Sequence, residues 1–266
     1  MSEFIFHYTK LSTFLEHILP TQKLRFSKFK GSRDPYEYIP RGYYVLSTPD
    51  EEIKANHLEV YEKFQESLRC SENSFFLSFC MPTLLPSKSK FLSDITYSGY
   101  DKPRMWDQYG DGNQGICLGF DKEKLLNSFS ELQDRNKENN DYSFFNNDVT
   151  YKTFKNSFFP KTFVSDISEL LHMNQDGWDR FFKDTDDLFF RKDYDYKDEN
   201  EYRLLVKTNT NNAPDLYLDI HESLSHIVFG DKVNKKSFQF FEDIINNTFS
   251  EPPKIIHMHW GFTDIF

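Results

Sequence analysis

Four separated segments carry side chains with chemistry to offer. His7-Tyr8-Thr9 closes a β-prone run and presents an imidazole, a phenol and a hydroxyl beside a helix start. Arg25, followed in a turn-rich stretch by Asp34 and Glu37, sets a guanidinium fork near two acids, the make-up of a structural ion pair or of a phosphate clamp. Trp106-Asp107-Gln108-Tyr109-Gly110 puts two rings three residues apart on one helical face, where they can stack a ligand ring or seal a core. Glu199-Asn200-Glu201-Tyr202-Arg203 sets Glu201 and Arg203 on one strand face, about 6–7 Å apart at their bases. An ion pair accounts for those two residues. So does a second role, because an ionised carboxylate at a strand entry is what steadies a developing cationic sugar in glycosyl transfer.

Other chemistries find less support. The chain lacks the H-E-x-x-H zinc pattern, the glycine-rich phosphate loop with its Lys, and the G-x-S-x-G nucleophile elbow. His257 and His259 stand two apart without Cys or acid partners nearby in sequence, so no metal is expected there. A magnesium-dependent nuclease needs Asp34, Glu37 and Glu201 in one coordination sphere. Cys70, Cys80 and Cys117 are an odd set without close pairs, which fits a reducing compartment. The formal net charge of -10 argues against a surface that binds nucleic acid through general counterion release, although a local basic groove survives that objection. The opening MSEFIFHYTKL carries charge where a signal peptide needs a long apolar core, and no run approaches the roughly 18 apolar residues of a membrane span. These features lead us to expect a cytoplasmic protein without membrane contact.

The elements that must position these groups are short. With 29 Phe and 15 Tyr, the core has to be built largely from rings. Strands are expected over Phe4–Tyr8, Lys23–Ser27, Ser74–Cys80, Ile116–Phe120, Val149–Lys152, Glu201–Lys207, Leu216–Ile220, Ile227–Phe229 and Ile255–Met258. Arg25 should point away from the core. Helices are expected over Thr13–Leu19, capped by Ser12 and stopped by Pro20, and over Glu51–Arg69, Arg104–Tyr109, Asp121–Phe129, Ile167–Phe190 and Ser237–Asn246. The Asn-rich stretch after Phe129 reads as a connection, Lys192–Asn200 as a solvated charged run, and 81–103 as a lid or long loop. Six or more short strands without βα alternation predict a single α+β domain over 1–266, with a mixed, mostly antiparallel sheet and flanking helices.

HYTKLSTFLEHIL-x4-LRFS, RDPYE, MWDQYGDGNQGICLGF, ENEYRLL and HIVFGDKV occur here in an order that resembles a bacterial family known as domain of unknown function 2971. The resemblance runs from about His7 to Val233. This chain has Arg33-Asp34-Pro35-Tyr36-Glu37 where the family usually shows Asn-Asp-Pro-Phe-Glu, and Asn113 and Gln114 where a His is common. The family's layout is similar to that of ADP-ribosyltransferase toxins that modify nucleic acid. That likeness implies NAD as substrate and a late-strand Glu, here Glu201, supporting the transition state. It also implies His7 toward the nicotinamide-side ribose, Arg25 on the phosphates, and Tyr8 or Tyr109 against the nicotinamide. It further implies an NAD-consuming effector of phage defence or of a toxin system, with a nucleic-acid or protein acceptor and an antitoxin or defence-system partner. A non-catalytic ligand-sensing or adaptor module is the alternative, and the nuclease a second one.

Overall fold

The structure is a computed structural model that describes residues 3–29, 73–85, 95–137, 142–152, 189–208, 210, 212–249 and 251–260. β1 (Phe4–Thr9) turns at Lys10 into a helical segment, α1, which opens as Leu11–Thr13, widens into a π turn over Phe14–Ile18 and closes as Leu19–Thr21. Pro20 therefore lies inside the helix instead of ending it. The widened turn precedes a residue that cannot supply the next ladder N–H, and the stop falls to Gln22, at φ 52. Ser12 does not cap: Lys10 holds that position without a side-chain hydrogen bond.

The strand expected over Lys23–Ser27 is broken at Phe26 into β2 (Lys23–Arg25) and β3 (Ser27–Lys28), because the chain changes partners there. β4 (Phe75–Cys80) follows, then β5 (Thr83–Leu85) and β6 (Ile95–Tyr97), which pair antiparallel at the two described ends of the 81–103 span. α2 (Pro103–Gln108) leads through a turn with positive φ at Asp111, Gly112 and Asn113 into β7 (Ile116–Asp121). Asp121 caps α3 (Lys122–Arg135) by accepting from the Lys124 amide.

The Asn-rich connection proves to be a strand, β8 (Tyr142–Asp148), ahead of β9 (Thr150–Lys152). Its composition is poor for a strand, but pairing with a buried neighbour outweighs intrinsic preference. β10 (Arg191–Asp193), a 3-10 turn over Tyr194–Glu199, β11 (Glu201–Thr208), β12 (Tyr217–Asp219), β13 (Leu224–Phe229), α4 (Lys235–Thr248) and β14 (Lys254–His257) complete the described chain. The helix expected over Glu51–Arg69 lies outside the described residues, as does that over Ile167–Phe190 except for its last two positions.

Eight strands form the main sheet, in the order β14-β13-β7-β1-β4-β11-β8 with β3 added beside β4. All neighbours run antiparallel except β13 and β14. The fold is α+β. Ile5, Phe79, Phe120, Leu204 and Phe229 face Phe14 of α1, Phe129 of α3 and Ile245 of α4, whereas Tyr8, Cys117 and Val228 face Met105 and Trp106 of α2. No helix among the described residues is long and apolar enough to cross a membrane.

One irregularity decides where a site can form. β1 pairs with β7 along its whole length, from Phe4↔Asp121 to Thr9↔Ile116, and β4 with β11 from Phe75↔Val206 to Cys80↔Glu201. Between them, β1 and β4 share one rung, Phe6↔Cys80.

Candidate functional site

A hollow of about 240 Å³ lies where β1 and β4 part, bordered by Phe6, His7 and Tyr8 on one side and by Phe76 to Cys80 on the other. The His7 side chain spans the gap that the missing ladder leaves, its Nδ1 standing 2.9 Å from the Ser78 carbonyl. Burial lowers the His7 pKa and the Ser78 contact only partly offsets this, so the imidazole is neutral near pH 7, with Nδ1–H donating and Nε2 left as an acceptor.

Across the hollow, the register Cys80↔Glu201 and Ser78↔Arg203 sets Glu201 and Arg203 against β4. Glu201 Oε1 accepts from Arg203 Nε at 2.7 Å and from Ser78 Oγ at 2.5 Å. Its Oε2 pairs with Lys192 Nζ at 2.8 Å. Burial alone would push the Glu201 carboxyl up. The charges of Arg203 and Lys192 more than reverse that and hold it at about 2.

Lys192 also reaches Glu199 Oε2 at 2.8 Å, while the Tyr109 hydroxyl donates to Glu199 Oε1 at 3.0 Å. Burial raises the Glu199 pKa, Lys192 opposes the rise, and the nearby Glu201 charge adds to it. The Tyr109 hydroxyl is pushed well above its ordinary value, first by burial and then by the Glu199 charge. Tyr151 accepts from the Glu201 amide at 2.8 Å. At the N-cap of α2, Lys102 Nζ grips the carbonyls of Asp198 and Glu199 at 2.9 and 2.8 Å, fixing the 3-10 turn that delivers Glu199.

Of the residues read from sequence, His7, Tyr8, Tyr109 and Glu201 line this hollow. Tyr8 is anchored, its hydroxyl donating to the Gly99 carbonyl at 2.8 Å and its ring packing edge-on against Trp106 at 5.1 Å. Trp106 is fully buried and donates to the Tyr100 carbonyl, so it seals the core and offers no platform. Thr9 is buried at the end of β1, opposite Ile116 and away from the lining. Arg203 stands behind Glu201, with Nη1 donating to the Phe189 carbonyl. Asp34 and Glu37 lie outside the described residues.

Arg25 is not brought to the hollow. As expected it points outward, but its guanidinium is 66% exposed and pairs with Asp215 at 3.4 Å. Asn113 accepts from Trp260 Nε1, and neither it nor Gln114, the two positions where the resemblance implies a His, belongs to the lining. The rings of His257 and His259 meet edge-on at 4.7 Å, and among the described residues no group of three or more His, Cys, Asp or Glu side chains is placed to hold a metal ion.

The largest departure is the run Lys192–Asn200. Expected in solvent, it carries Lys192, Asp193 and Glu199 at 6%, 6% and 3% exposure. Each buried charge there has an opposite charge or a directed polar partner, the condition under which burial is tolerated. Nothing in the sequence marks Ser78, Lys192, Tyr151 or Lys102 as site residues, and it assigns Glu199 no role. The spacing Glu199-x-Glu201 was the one available signal, since Ser78 is hidden in an apolar run and Lys192 in a charged one.

A family model described as "Protein of unknown function (DUF2971)" matches residues 105–204, a span that includes Tyr109, Lys192, Glu199, Glu201 and Arg203. That is the family the motif order resembles. Among curated proteins none matches the chain. Among solved structures, Thermus sp. 2.9 DarT in complex with NAD+ is similar over 97% of this chain and 96% of that one, at 12% identity and a TM-score of 0.33. A likeness at that level bears on neither the site nor the reaction.

Proposed function

We propose that the hollow receives the nicotinamide-riboside end of NAD and that the protein is an ADP-ribosyltransferase. The observation that carries this reading is Glu201, a buried carboxylate held ionised by Arg203 and Lys192 in the wall of a ring-lined hollow. His7 lines the same hollow as a neutral imidazole that can take a hydrogen bond from a sugar hydroxyl, and Phe6, Phe79 and Met105 suit an apolar ring.

The volume limits what enters. About 240 Å³ is below the roughly 300–1,000 Å³ usual for drug-sized ligands, so the hollow fits one end of a dinucleotide and not the whole. In the transfer, the bond between the ribose anomeric carbon and the pyridine nitrogen breaks, and nicotinamide leaves neutral with the electron pair. Glu201, held ionised, stabilises the cationic sugar beside it. An acceptor nucleophile then bonds to that carbon and gives up its proton. We take the acceptor to be a nucleic acid or protein, and the setting to be a cytoplasmic toxin or phage-defence effector with an antitoxin or defence partner, on the strength of the family resemblance alone.

A second reading, a non-catalytic ligand-sensing or adaptor module, draws on the same residues: Arg203 and Lys192 hold Glu201 as a structural ion network does. Those two cations already occupy both oxygens of Glu201, which leaves little for a magnesium ion and disfavours the nuclease. The readings separate by nicotinamide release from NAD, measured chromatographically. Glu201→Gln should slow release about 100- to 1,000-fold, the size of effect expected for losing a charge-stabilising group. Tyr109→Phe, which keeps the ring and removes one donor, should retain most of it. No release by the wild-type protein, or equal release by wild type and Glu201→Gln, would refute the transferase.

A further inference from the structure

We infer that Asn200, the residue between the two acids of the hollow, is a positioning residue that aims Glu199 at Lys192, so that one ammonium is shared by two carboxylates. The inference rests on the NAD reading for its activity readout. Glu201 is held in the ladder opposite Cys80. Glu199 is the last residue of the 3-10 turn and lies outside the ladder, so its direction depends on how that turn hands over to β11. The handover is made by Asn200 alone, at φ 47 and ψ 59, the left-handed region that Asn enters more readily than most residues. Hydrogen bonds fasten it there. The Asn200 amide donates to the Lys197 carbonyl at 3.2 Å, its carbonyl accepts from the Met81 amide at 2.8 Å, and Nδ2 donates to the carbonyls of Pro82 and Met81 at 2.9 and 3.3 Å. Met81 and Pro82 follow directly on β4, which borders the hollow, so the link between the two acids is set against a wall of the site.

Asn200 is not among the lining residues, so its effect passes through Glu199. Tyr109 and Lys102 hold Glu199 once it is aimed, by its carboxylate and its carbonyl. The consequence falls on the charge of Glu201. Arg203 holds its Oε1 and Lys192 its Oε2, while Lys192 stands at the same 2.8 Å from Glu199. With Glu199 turned away, Lys192 pairs with Glu201 alone, and the carboxylate keeps less negative potential for a cationic sugar. The contacts that Phe6, Phe79 and Met105 offer a ring are untouched. Losing the aim therefore lowers the rate of transfer and spares the binding of its substrate.

The test measures nicotinamide release from NAD by Asn200→Gly and Asn200→Ala, each alone and combined with Glu199→Gln, well below the unfolding temperature of each protein. Glycine keeps the left-handed backbone and loses the side-chain bonds; alanine loses both. The kcat should fall about tenfold in the glycine variant and about 100-fold in the alanine variant, with KM within about twofold of wild type. In the Glu199→Gln background, where no carboxylate is left to aim, replacing Asn200 should change kcat by less than about twofold. An unchanged kcat, a loss confined to KM, or an undiminished loss in the Glu199→Gln background overturns the inference and leaves the NAD reading standing. If the alanine variant does not fold, the glycine variant decides by the same criteria. If the wild type releases no nicotinamide, the NAD reading falls and the crystal structure of Asn200→Gly decides the positioning role. Glu199 displaced from Lys192 then supports it, and Glu199 still 2.8 Å from that ammonium overturns it.

Discussion

Glu201 ties folding stability to pH in a calculable way. Its carboxyl sits at about 2 in the folded chain against an ordinary 4.5, and the side chain is 2% exposed, so solvent screening takes little from the effect. At about 1.4 kcal/mol per pKa unit, the depression contributes about 3 kcal/mol near neutrality. Because the folded value is the lower one, this stability is complete above pH 4.5 and is lost as the pH falls toward 2. About 2 kcal/mol of it is gone by about pH 3. Glu199, displaced upward, acts oppositely in a higher range: its protonation favours the folded state as the pH falls, and this effect is smaller in Glu201→Gln, where the Glu201 charge that adds to the rise is gone. Urea unfolding of wild type and Glu201→Gln between about pH 6 and pH 3 reports the Glu201 contribution. The wild type should be more stable at pH 6 by roughly 3–5 kcal/mol, because the variant leaves Arg203 and Lys192 short of an anion. The gap should shrink by about 2 kcal/mol at pH 3. A gap that stays constant across this range would refute the account of Glu201 as a buried, ionised partner of two cations.

Two further substitutions test the frame around the site. Gly99→Ala would set its Cβ 2.3 Å from Phe6 Cδ2 and 2.9 Å from the Cys80 carbonyl, so thermal unfolding should report a loss of about 1–3 kcal/mol. Lys102→Met removes the ammonium that holds the Asp198 and Glu199 carbonyls. It should cost about 1.5–3 kcal/mol in urea unfolding and also lower nicotinamide release, since the turn carrying Glu199 loses its anchor.

The strands were legible where apolar residues run together or alternate, as at Phe75–Cys80 and Ile116–Asp121, because burial and periodicity are local properties of the chain. β8 was not, since its order comes from β11, a partner more than fifty residues away in sequence. The break at Phe26 was hidden for the same reason: nothing in Lys23–Ser27 announces that the two ends answer to different strands. In the site, Glu201 and His7 could be read from position and type. Lys192 could not, because a lysine in a charged run looks solvated until the carboxylates that hold it are known, and those belong to a turn and a strand further on. Arg25 was illegible for a similar reason: Asp34 and Glu37 lie outside the described residues, and the acid it pairs with, Asp215, stands 190 positions away in the chain.

The single rung between β1 and β4 means that each half of the sheet is hydrogen-bonded internally, while at the seam the halves share that rung and the core packed across both. A molecule lodged there is touched by His7 from one half and Glu201 from the other, and so becomes part of the join. Occupancy and cohesion are then the same variable: whatever fills the seam also fastens the molecule together, and its departure loosens the line along which the chain is least knitted.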